Sequence, residues 1–306
     1  MRLVKERALL TSNLFFIFSF YLYTFALYCR AMRRPVISKK SFALIFACVL
    51  AMLCALALFF FSRLQNERAL ARSAATSSAR MAGFPKQFLW AWERPEQLEF
   101  IDTREVGVAF LSKTIYLRED KVIERPRMQP LKVPAGTTLM AVVRIETVRD
   151  GPPLLSDTQR ASLTEALLEA SRAPNVRALQ IDFDALKSER EFYTKLLRDL
   201  RRQLPAEMPL SITALASWCI DDNWLDGLPV DEAVPMLFQM GMDEERIRSY
   251  LKQGGELRSP LCRLSKGVST DEPVELASQG VTRTYIFNSK AWTEAAVRRT
   301  IERNRK

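Results

Sequence analysis

Histidine is absent from this chain of 306 residues, and cysteine is scarce, with five residues. Without an imidazole the chain has no Ser-His-Asp triad, no Cys-His pair and no histidine-ligated zinc site. Acid or base catalysis must therefore come from Asp, Glu, Lys, Tyr or Cys. The glycine-rich motifs G-x-G-x-x-G and G-x-x-x-x-G-K-[ST] are also missing, which argues against the common nucleotide-binding sites. We expect no cofactor and no metal ion.

Acidic residues are rare in the first 80 positions, which hold 12 of the 45 basic residues but only two of the 35 acidic ones. Residues 81–306 therefore carry 33 charges of each sign and are neutral overall. No basic stripe with interleaved aromatic residues stands out in this part of the chain. A nucleic-acid partner is therefore not expected.

Formal charge is missing altogether from two runs of 22 residues, 8–29 and 41–62. Because about 20 apolar residues cross the hydrocarbon core of a bilayer, run 41–62 is predicted to be a transmembrane anchor. Run 8–29 is more polar and is a candidate for a first transmembrane helix. The bases between the two runs complete an N-terminal segment 1–40 and predict a cytoplasmic loop, with the C-terminal body outside. If translation instead starts at Met32, one span gives the same orientation.

The apolar run 41–62 also has to be weighed against a cleaved signal peptide. It is longer than the usual apolar region of a signal peptide, about 7–15 residues, and no A-x-A site follows it immediately. We therefore favour an uncleaved anchor. Residues 63–85 are polar and are predicted to be a tether, which leaves 86–306 as the folded domain.

From Phe88 onward, short runs rich in β-branched and aromatic residues alternate with helical patterns. This alternation predicts an α/β fold with a parallel sheet, either doubly wound or closed. Eight strands in about 220 residues fit a TIM-like (β/α)8 barrel. The connection 114–134 resembles a hairpin rather than a helix, so the barrel is predicted to be irregular at its second β/α connection. The predicted strands are 88–93, 107–111, 139–146, 176–184, 209–218, 233–240, 261–265 and 283–288.

Polar residues predict where three helices of this domain begin. Ser156 with Gln159, and Ser188 with Glu191, have the spacing of a capping box. Asp243 is predicted to cap a third helix.

Two of the five cysteines, Cys219 and Cys262, lie in the folded domain. A compartment outside the membrane permits a disulfide. Because Cys219 is predicted at the end of the fifth strand and Cys262 near the start of the seventh, the two should lie at opposite rims of a barrel. We therefore predict no bridge between them.

The fourth predicted strand contains Gln180, Asp182 and Asp184 at alternate positions. Strand side chains alternate between faces, so these three are expected to point into the barrel while the apolar residues between them face the helices. Two carboxylates near the carboxyl end of a barrel strand are costly to bury, and barrel active sites lie at that end. The alternative is a polar plug in which Arg144 neutralises one aspartate.

Other predicted strand ends add carboxylate, amide and aromatic side chains. An aromatic face stacks on the apolar face of a sugar ring, while carboxylates and amides bind its hydroxyl groups. Asp182, Asp184 and Glu146 are therefore the candidate catalytic residues. The candidate substrate-binding residues are Trp90, Trp92, Glu93, Arg144, Trp218, Gln239 and Asn288.

The segment Ile181–Asp184 with the helix that follows resembles the fourth β/α unit of glycoside hydrolase family 18, the chitinase-type barrels. In that family's D-x-D-x-E motif, Gln180 matches the first Asp, Asp182 the central Asp and Asp184 the general-acid Glu. Met236-Leu237-Phe238-Gln239 is similar to the family's M-x-Y-D motif, with Phe238 and Gln239 replacing Tyr and Asp. In the family these two groups help to stabilise an intermediate assisted by the N-acetyl group.

Residues 87–292 more closely resemble an uncharacterised bacterial family, domain of unknown function 3142, through "FLWAWERPEQLEFI", "VGVAFLSKTIYL", "VVRIE", "ALQIDFDA" and "PMLFQMG". The resemblance implies a bacterial, hydrolase-like barrel. Combined with the predicted anchor, it places the domain in the periplasm, attached to the inner membrane. Two functions stay open: a glycoside hydrolase acting on an envelope or exported polysaccharide, and a barrel that binds a glycan or an envelope partner without turnover.

Overall fold

The computed structural model describes residues 48, 51–63, 65, 79–148, 150–272 and 281–305. The chain divides into two compact units, Met1–Arg68 and Ala69–Lys306. The predicted span 8–29 lies outside the described residues, as do residues 66–78 of the predicted tether.

In the first unit, residues 51–63 are helical and their side chains are exposed. Phe59, Phe60 and Phe61 are each more than half exposed. Across the described parts of the chain, no helix is both long enough and apolar enough to cross a membrane.

Eight parallel strands close into a barrel in the second unit. The first barrel strand pairs with both the last one and the next one along the chain, which closes the sheet. The predicted TIM-like architecture, a closed barrel of eight parallel strands with helices, is therefore confirmed. In chain order the strands are β1 (Gln87–Ala91), β2 (Glu96–Gln97), β3 (Val106–Arg118), β4 (Lys121–Pro126), β5 (Leu131–Lys132), β6 (Leu139–Thr147), β7 (Val176–Asp182), β8 (Leu210–Leu215), β9 (Glu232–Met236), β10 (Ser265–Ser269) and β11 (Arg283–Phe287).

The remaining three strands lie outside the barrel. Strand β4 returns antiparallel on β3 as a hairpin, and β2 pairs with β5 in a small separate sheet. The hairpin occupies the place of the second helix, as the sequence predicts. Among the described residues, the helices that follow barrel strands are α1 (Asp157–Ser171), α2 (Arg190–Gln203), α3 (Ala216–Asp221), α4 (Glu244–Lys252) and α5 (Glu294–Arg305).

Two apolar layers hold the barrel together. Alternate side chains of the strands, such as Leu179 and Ile181, pack outward against α1 and α2. The inward side chains fill the barrel with aromatic rings, among them Phe88, Trp90 and Tyr285. As in other barrels of this kind, the interior is a packed core and not a pore.

Two of the three predicted caps differ from the structure. The Ser156 hydroxyl accepts a hydrogen bond from the Gln159 backbone N–H at 3.1 Å, as predicted. Ser188 does not cap α2, because that helix starts one residue later and Glu189 accepts from the Leu186 N–H at 2.7 Å instead. Asp243 precedes α4, but its side chain makes no capping hydrogen bond.

The prediction that Cys219 and Cys262 are unpaired is wrong, because they form a disulfide with their Cα atoms 5.9 Å apart. Strand β8 ends at Leu215, and Cys219 lies on the helix α3 that follows it. Cys262 lies in a 3₁₀ turn, Pro260–Cys262, ahead of β10. Both cysteines therefore belong to the outer layer of the barrel and not to its strands. The prediction failed because it placed both cysteines on strands, at opposite rims of the barrel.

Candidate active site

A cavity of about 260 Å³ opens beyond the carboxyl ends of the barrel strands. Its walls combine aromatic rings with carboxylates. Phe238 and Phe287 stack with ring centroids 5.4 Å apart, and Trp92 meets Phe287 edge-on. The lining residues are Trp90, Trp92, Val142, Arg144, Asp182, Asp184, Thr213, Leu215, Ala216, Ser217, Met236, Phe238, Gln239, Met240, Asp243, Ile247 and Phe287.

Asp182 is the buried acid of this cavity and is 5% exposed. Its Oδ1 accepts a hydrogen bond from Thr213 Oγ1 at 2.7 Å, and its Oδ2 lies 3.2 Å from Arg144 Nη1. Burial raises the pKa of Asp182, against the opposing effect of the Arg144 charge. The ion pair with Arg144 is the contact that the polar-plug alternative expects.

Asp184 follows the end of β7 and is exposed. Partial desolvation and then the negative charge of Asp182 raise the pKa of Asp184, and Arg144 only partly offsets this. The two aspartates thus differ in their surroundings. Asp182 is fixed by two partners, whereas Asp184 faces the cavity, and environments that differ in this way set the roles of paired acids in catalysis.

Arg144 connects the cavity to a third carboxylate. It lies opposite Asp182 across the β6–β7 pair, and its Nε donates to Glu146 Oε1 at 2.6 Å. Its guanidinium carbon is 5.8 Å from the centre of the Trp92 ring, within the range of a cation–π contact. The guanidinium is thereby held between two carboxylates and an aromatic face.

A chain of buried hydrogen bonds runs beneath the cavity. Trp90 Nε1 donates to Gln180 Oε1 at 2.9 Å, and Gln180 Nε2 donates to Ser211 Oγ at 3.0 Å. Ser211 Oγ donates to Glu232 Oε1 at 3.1 Å, and Glu232 Oε2 pairs with Arg283 Nη1 at 3.0 Å. This series of hydrogen bonds fixes the indole of Trp90, which forms part of the cavity wall.

Gln239 lies at the mouth in a strained backbone conformation. Its φ is 50°, a region that non-glycine residues rarely adopt, and its N–H donates to Glu272 Oε2 at 2.9 Å. Such strain is concentrated at functional sites in proteins.

The structure brings six of the ten predicted site residues into the cavity lining: Trp90, Trp92, Arg144, Asp182, Asp184 and Gln239. The other four lie outside it. Glu146 is bonded to Arg144, and Glu93 accepts from the Met128 N–H at 3.3 Å. Asn288 is 6% exposed and accepts from Thr270. The predicted strand-end position of Trp218 is wrong, because Trp218 lies on α3 and packs against Trp224 in the outer core.

Sequence reasoning missed other lining residues. Thr213 and Phe287 alternate with outward residues on β8 and β11, so strand periodicity was the available signal. Asp243 was interpreted only as a helix cap, and no local pattern pointed to its place in the cavity wall. In the described part of the chain, no three Cys, Asp or Glu side chains cluster as a metal site would require.

Comparisons with known proteins give one family match and several similar structures. A family model described as "Domain of unknown function (DUF3142)" matches residues 135–237. The sequence matches no curated protein. The spore cortex-lytic enzyme SleL of Bacillus cereus is 16% identical, with a TM-score of 0.38, over 60% of this chain and 51% of that one. This chain therefore spans about half of SleL.

Two chitinases are also similar in structure. A protein described as chitinase A from Streptomyces coelicolor is 12% identical, with a TM-score of 0.46, over 71% of this chain and 96% of that one. Chitinase RmChi1 from Rhizomucor miehei is 12% identical, with a TM-score of 0.37, over 60% and 68%.

Proposed function

We propose that this protein is a membrane-anchored, externally facing glycoside hydrolase that acts on an envelope or exported polysaccharide of a bacterium. The observation that carries the proposal is the pair of unlike aspartates, Asp182 and Asp184, in a cavity walled by aromatic rings. Glycoside hydrolysis needs a protonated acid and a separate negative charge near the anomeric carbon. The two aspartates supply both, Asp182 at the end of β7 and Asp184 just beyond it.

Asp184 is the proposed general acid. Its raised pKa favours the protonated form, and its exposure lets it reach a glycosidic oxygen. As the proton moves to that oxygen, the bond to the anomeric carbon breaks. Water then adds to that carbon and gives its proton to the Asp184 carboxylate, which restores the acid. Asp182 is the proposed negative charge that stabilises the developing oxocarbenium ion. Burial raises the pKa of Asp182 as well, but the Arg144 guanidinium and the Thr213 hydroxyl both favour its charged form. Glu146, oriented by Arg144, is the candidate for the second carboxylate.

In the same proposal, the aromatic rings and polar groups around the cavity bind the sugar. Trp90 and Trp92 supply ring faces, and Arg144 and Gln239 supply hydrogen-bond donors. Glu93, Asn288 and Trp218 do not line the cavity, so their contribution would come through a longer glycan or through support of the loops.

Two observations support an external location. The disulfide between Cys219 and Cys262 is of the kind that persists in oxidising compartments such as the periplasm. The exposed apolar side chains of helix 51–63 are suited to a lipid environment. Both agree with an anchor in the inner membrane and a barrel in the periplasm.

A second candidate function is glycan binding without turnover. The Arg144–Asp182 ion pair favours it, because a neutralised Asp182 would stabilise a positive charge less well. The two candidates differ in one measurable respect, which is whether bonds are cleaved.

The test uses the full chain, purified in a non-ionic detergent, with peptidoglycan and a panel of bacterial exopolysaccharides. Reducing-end release and binding are recorded in the same samples for the wild type and for Asp184→Asn. We expect Asp184→Asn to lower release by a factor of about 100 or more, because the general acid is lost, and to leave binding nearly intact.

The control is Asp226→Asn, an exposed aspartate outside the cavity lining, which should behave as the wild type. If the wild type and Asp184→Asn bind equally and neither releases reducing ends, the proposed hydrolase activity is wrong and glycan binding without turnover is supported.

A further inference from the structure

The charge of the cavity lining is unbalanced. Among the described residues that line it, Arg144 is the one basic residue, while Asp182, Asp184 and Asp243 are acidic, so the acids outnumber the base even when Asp184 holds its proton. The guanidinium of Arg144 is already held by Asp182 and by Glu146, a carboxylate that lies outside the lining. Because residues 81–306 are neutral as a whole, this excess of negative charge is a local property of the cavity.

The rim of the cavity, formed here by Asp221, Asp243 and Arg246, also has more acidic than basic side chains. Arg246 pairs with Asp221 at 2.7 Å and with Asp243 at 3.1 Å, so one cation serves two carboxylates. Asp243 and Arg246 are each about half exposed, which leaves the Asp243 carboxylate accessible to a ligand entering the cavity. The rim thus adds a second acidic position, on a different strand connection from Asp184.

This arrangement discriminates between ligands by charge. A cleft lined by one sign of charge, with low-dielectric walls, concentrates ligands of the opposite sign. An anionic sugar would meet repulsion, since the guanidinium of Arg144 is engaged. A cation gains attraction from the acids and from the ring faces of Trp92, Phe238 and Phe287, because aromatic faces attract ammonium groups.

We infer that the cavity takes a cationic amino sugar, one whose nitrogen carries no acyl group and is protonated, with its ammonium placed at Asp243. The inference rests on the proposed function for the site but adds the class of glycan. Asp182 and Asp184 remain with the bond to be cleaved. Phe238 lines the wall, and its ring has no polar group that could bind a neutral acylamino group.

The test compares three tetrasaccharides with the full chain in a non-ionic detergent: β-1,4-linked glucosamine, its fully N-acetylated form, and galacturonic acid. Affinities are measured by calorimetry at about pH 6 and in low salt. We expect the glucosamine oligomer to bind about tenfold more tightly than the acetylated one, and the galacturonate to bind least. Raising the salt to about 0.5 M should shrink the preference through screening.

Asp243→Asn is expected to bring the affinities for the amine and acetylated oligomers close together without weakening the acetylated one, whereas Asp226→Asn should keep the preference. Circular dichroism checks that both variants are folded. Equal or tighter binding of the acetylated or galacturonate oligomer, or no binding of the glucosamine oligomer, would overturn the inference.

Reducing-end release in the same samples separates this inference from the proposed function. If reducing ends are released from the acetylated oligomer and the glucosamine oligomer binds no more tightly, the proposed hydrolase activity stands and the inferred cationic ligand is wrong. If the glucosamine oligomer binds more tightly but no glycan of the panel releases reducing ends, the inferred ligand class stands and the proposed hydrolase activity is wrong.

Discussion

At the scale of the residue, the ionised form of Asp184 is unfavourable in the folded protein. Asp184 has a raised pKa because its carboxylate is partly desolvated and lies near Asp182. A raised pKa in the folded state means that ionising this group costs the fold free energy. The stability linked to the protonated form is complete below the pKa of the unfolded chain, about 3.9, and is lost as the pH rises through the folded pKa.

Asp184→Asn is therefore expected to stabilise the protein at neutral pH while it abolishes turnover. We expect a rise in Tm on the order of 2 °C at pH 7 and little change below about pH 3, where the wild-type carboxyl is mostly protonated in both states. Thermal unfolding followed by circular dichroism at the two pH values checks this. An unchanged or lower Tm at pH 7 would contradict the account of Asp184, and Asp226→Asn serves as the control.

The buried pair of Glu232 and Arg283 tests a different residue-scale effect. Both side chains are at most 7% exposed, and Glu232 also accepts from Ser211 and Tyr285. Glu232→Gln leaves a buried guanidinium without its counter-charge, so we expect a loss of about 3 kcal/mol in the free energy of unfolding.

Urea denaturation measures this loss for Glu232→Gln. The exposed pair of Glu294 and Arg298 is the matched comparison, since both side chains are more than 60% exposed. Glu294→Gln should change the free energy of unfolding by less than about 1 kcal/mol. Similar losses in the two variants would argue that the buried pair contributes no more than a surface pair.

At the scale of the element, the disulfide ties helix α3 to the 3₁₀ turn that leads into β10. Ala216 and Ser217 of α3 line the cavity, so the bridge also restrains one wall of the site. The cysteines are separated by 43 positions, and a loop of this size corresponds to about 4 kcal/mol in the chain-entropy model.

The double variant Cys219→Ser, Cys262→Ser is expected to lose about 2–4 kcal/mol in the free energy of unfolding. Denaturant unfolding with and without a reducing agent checks this, because reduction should bring the wild type to the level of the variant and leave the variant unchanged. A wild type that does not respond to reduction would indicate that the bridge does not form.

Elements with clear periodicity were predictable, and those governed by close contacts were not. The alternation in β7 identified its inward Gln180 and Asp182. The hairpin in place of the second helix was visible in the residues around Glu119–Asp120. Strand β10 was missed, because its sequence Ser265–Ser269 has little apolar character, and the more apolar residues before it were taken for the strand. A Cβ at Gly267 would lie 3.0 Å from Trp90, so a side chain there would crowd that indole.

The positions of residues on the segments between strands were also not predictable from the sequence. The turn of the chain after Leu215 into α3 moved Trp218 and Cys219 from the expected strand end into the outer layer. Asp243 reached the cavity only because the connection after β9 folds back over the barrel mouth.

At the scale of the whole molecule, the proposed topology can be tested without knowledge of the ligand. The bases between the two uncharged runs predict that everything after residue 63 lies outside the cytoplasm. We expect alkaline phosphatase fused after Arg80 to be active and green fluorescent protein fused at the same position to be dark. The opposite pattern would contradict the external location and the membrane orientation together.

For the hydrolysis proposed above, the packed interior beneath the cavity limits the path of substrate and product. Trp90, Tyr285 and the Glu232–Arg283 pair fill the barrel below the site, so a ligand that reaches the aspartates has no exit on the far side. A product bound at the bottom of the cavity must leave through the mouth by which the next substrate enters. The two therefore compete for one passage, and product inhibition should be competitive with substrate.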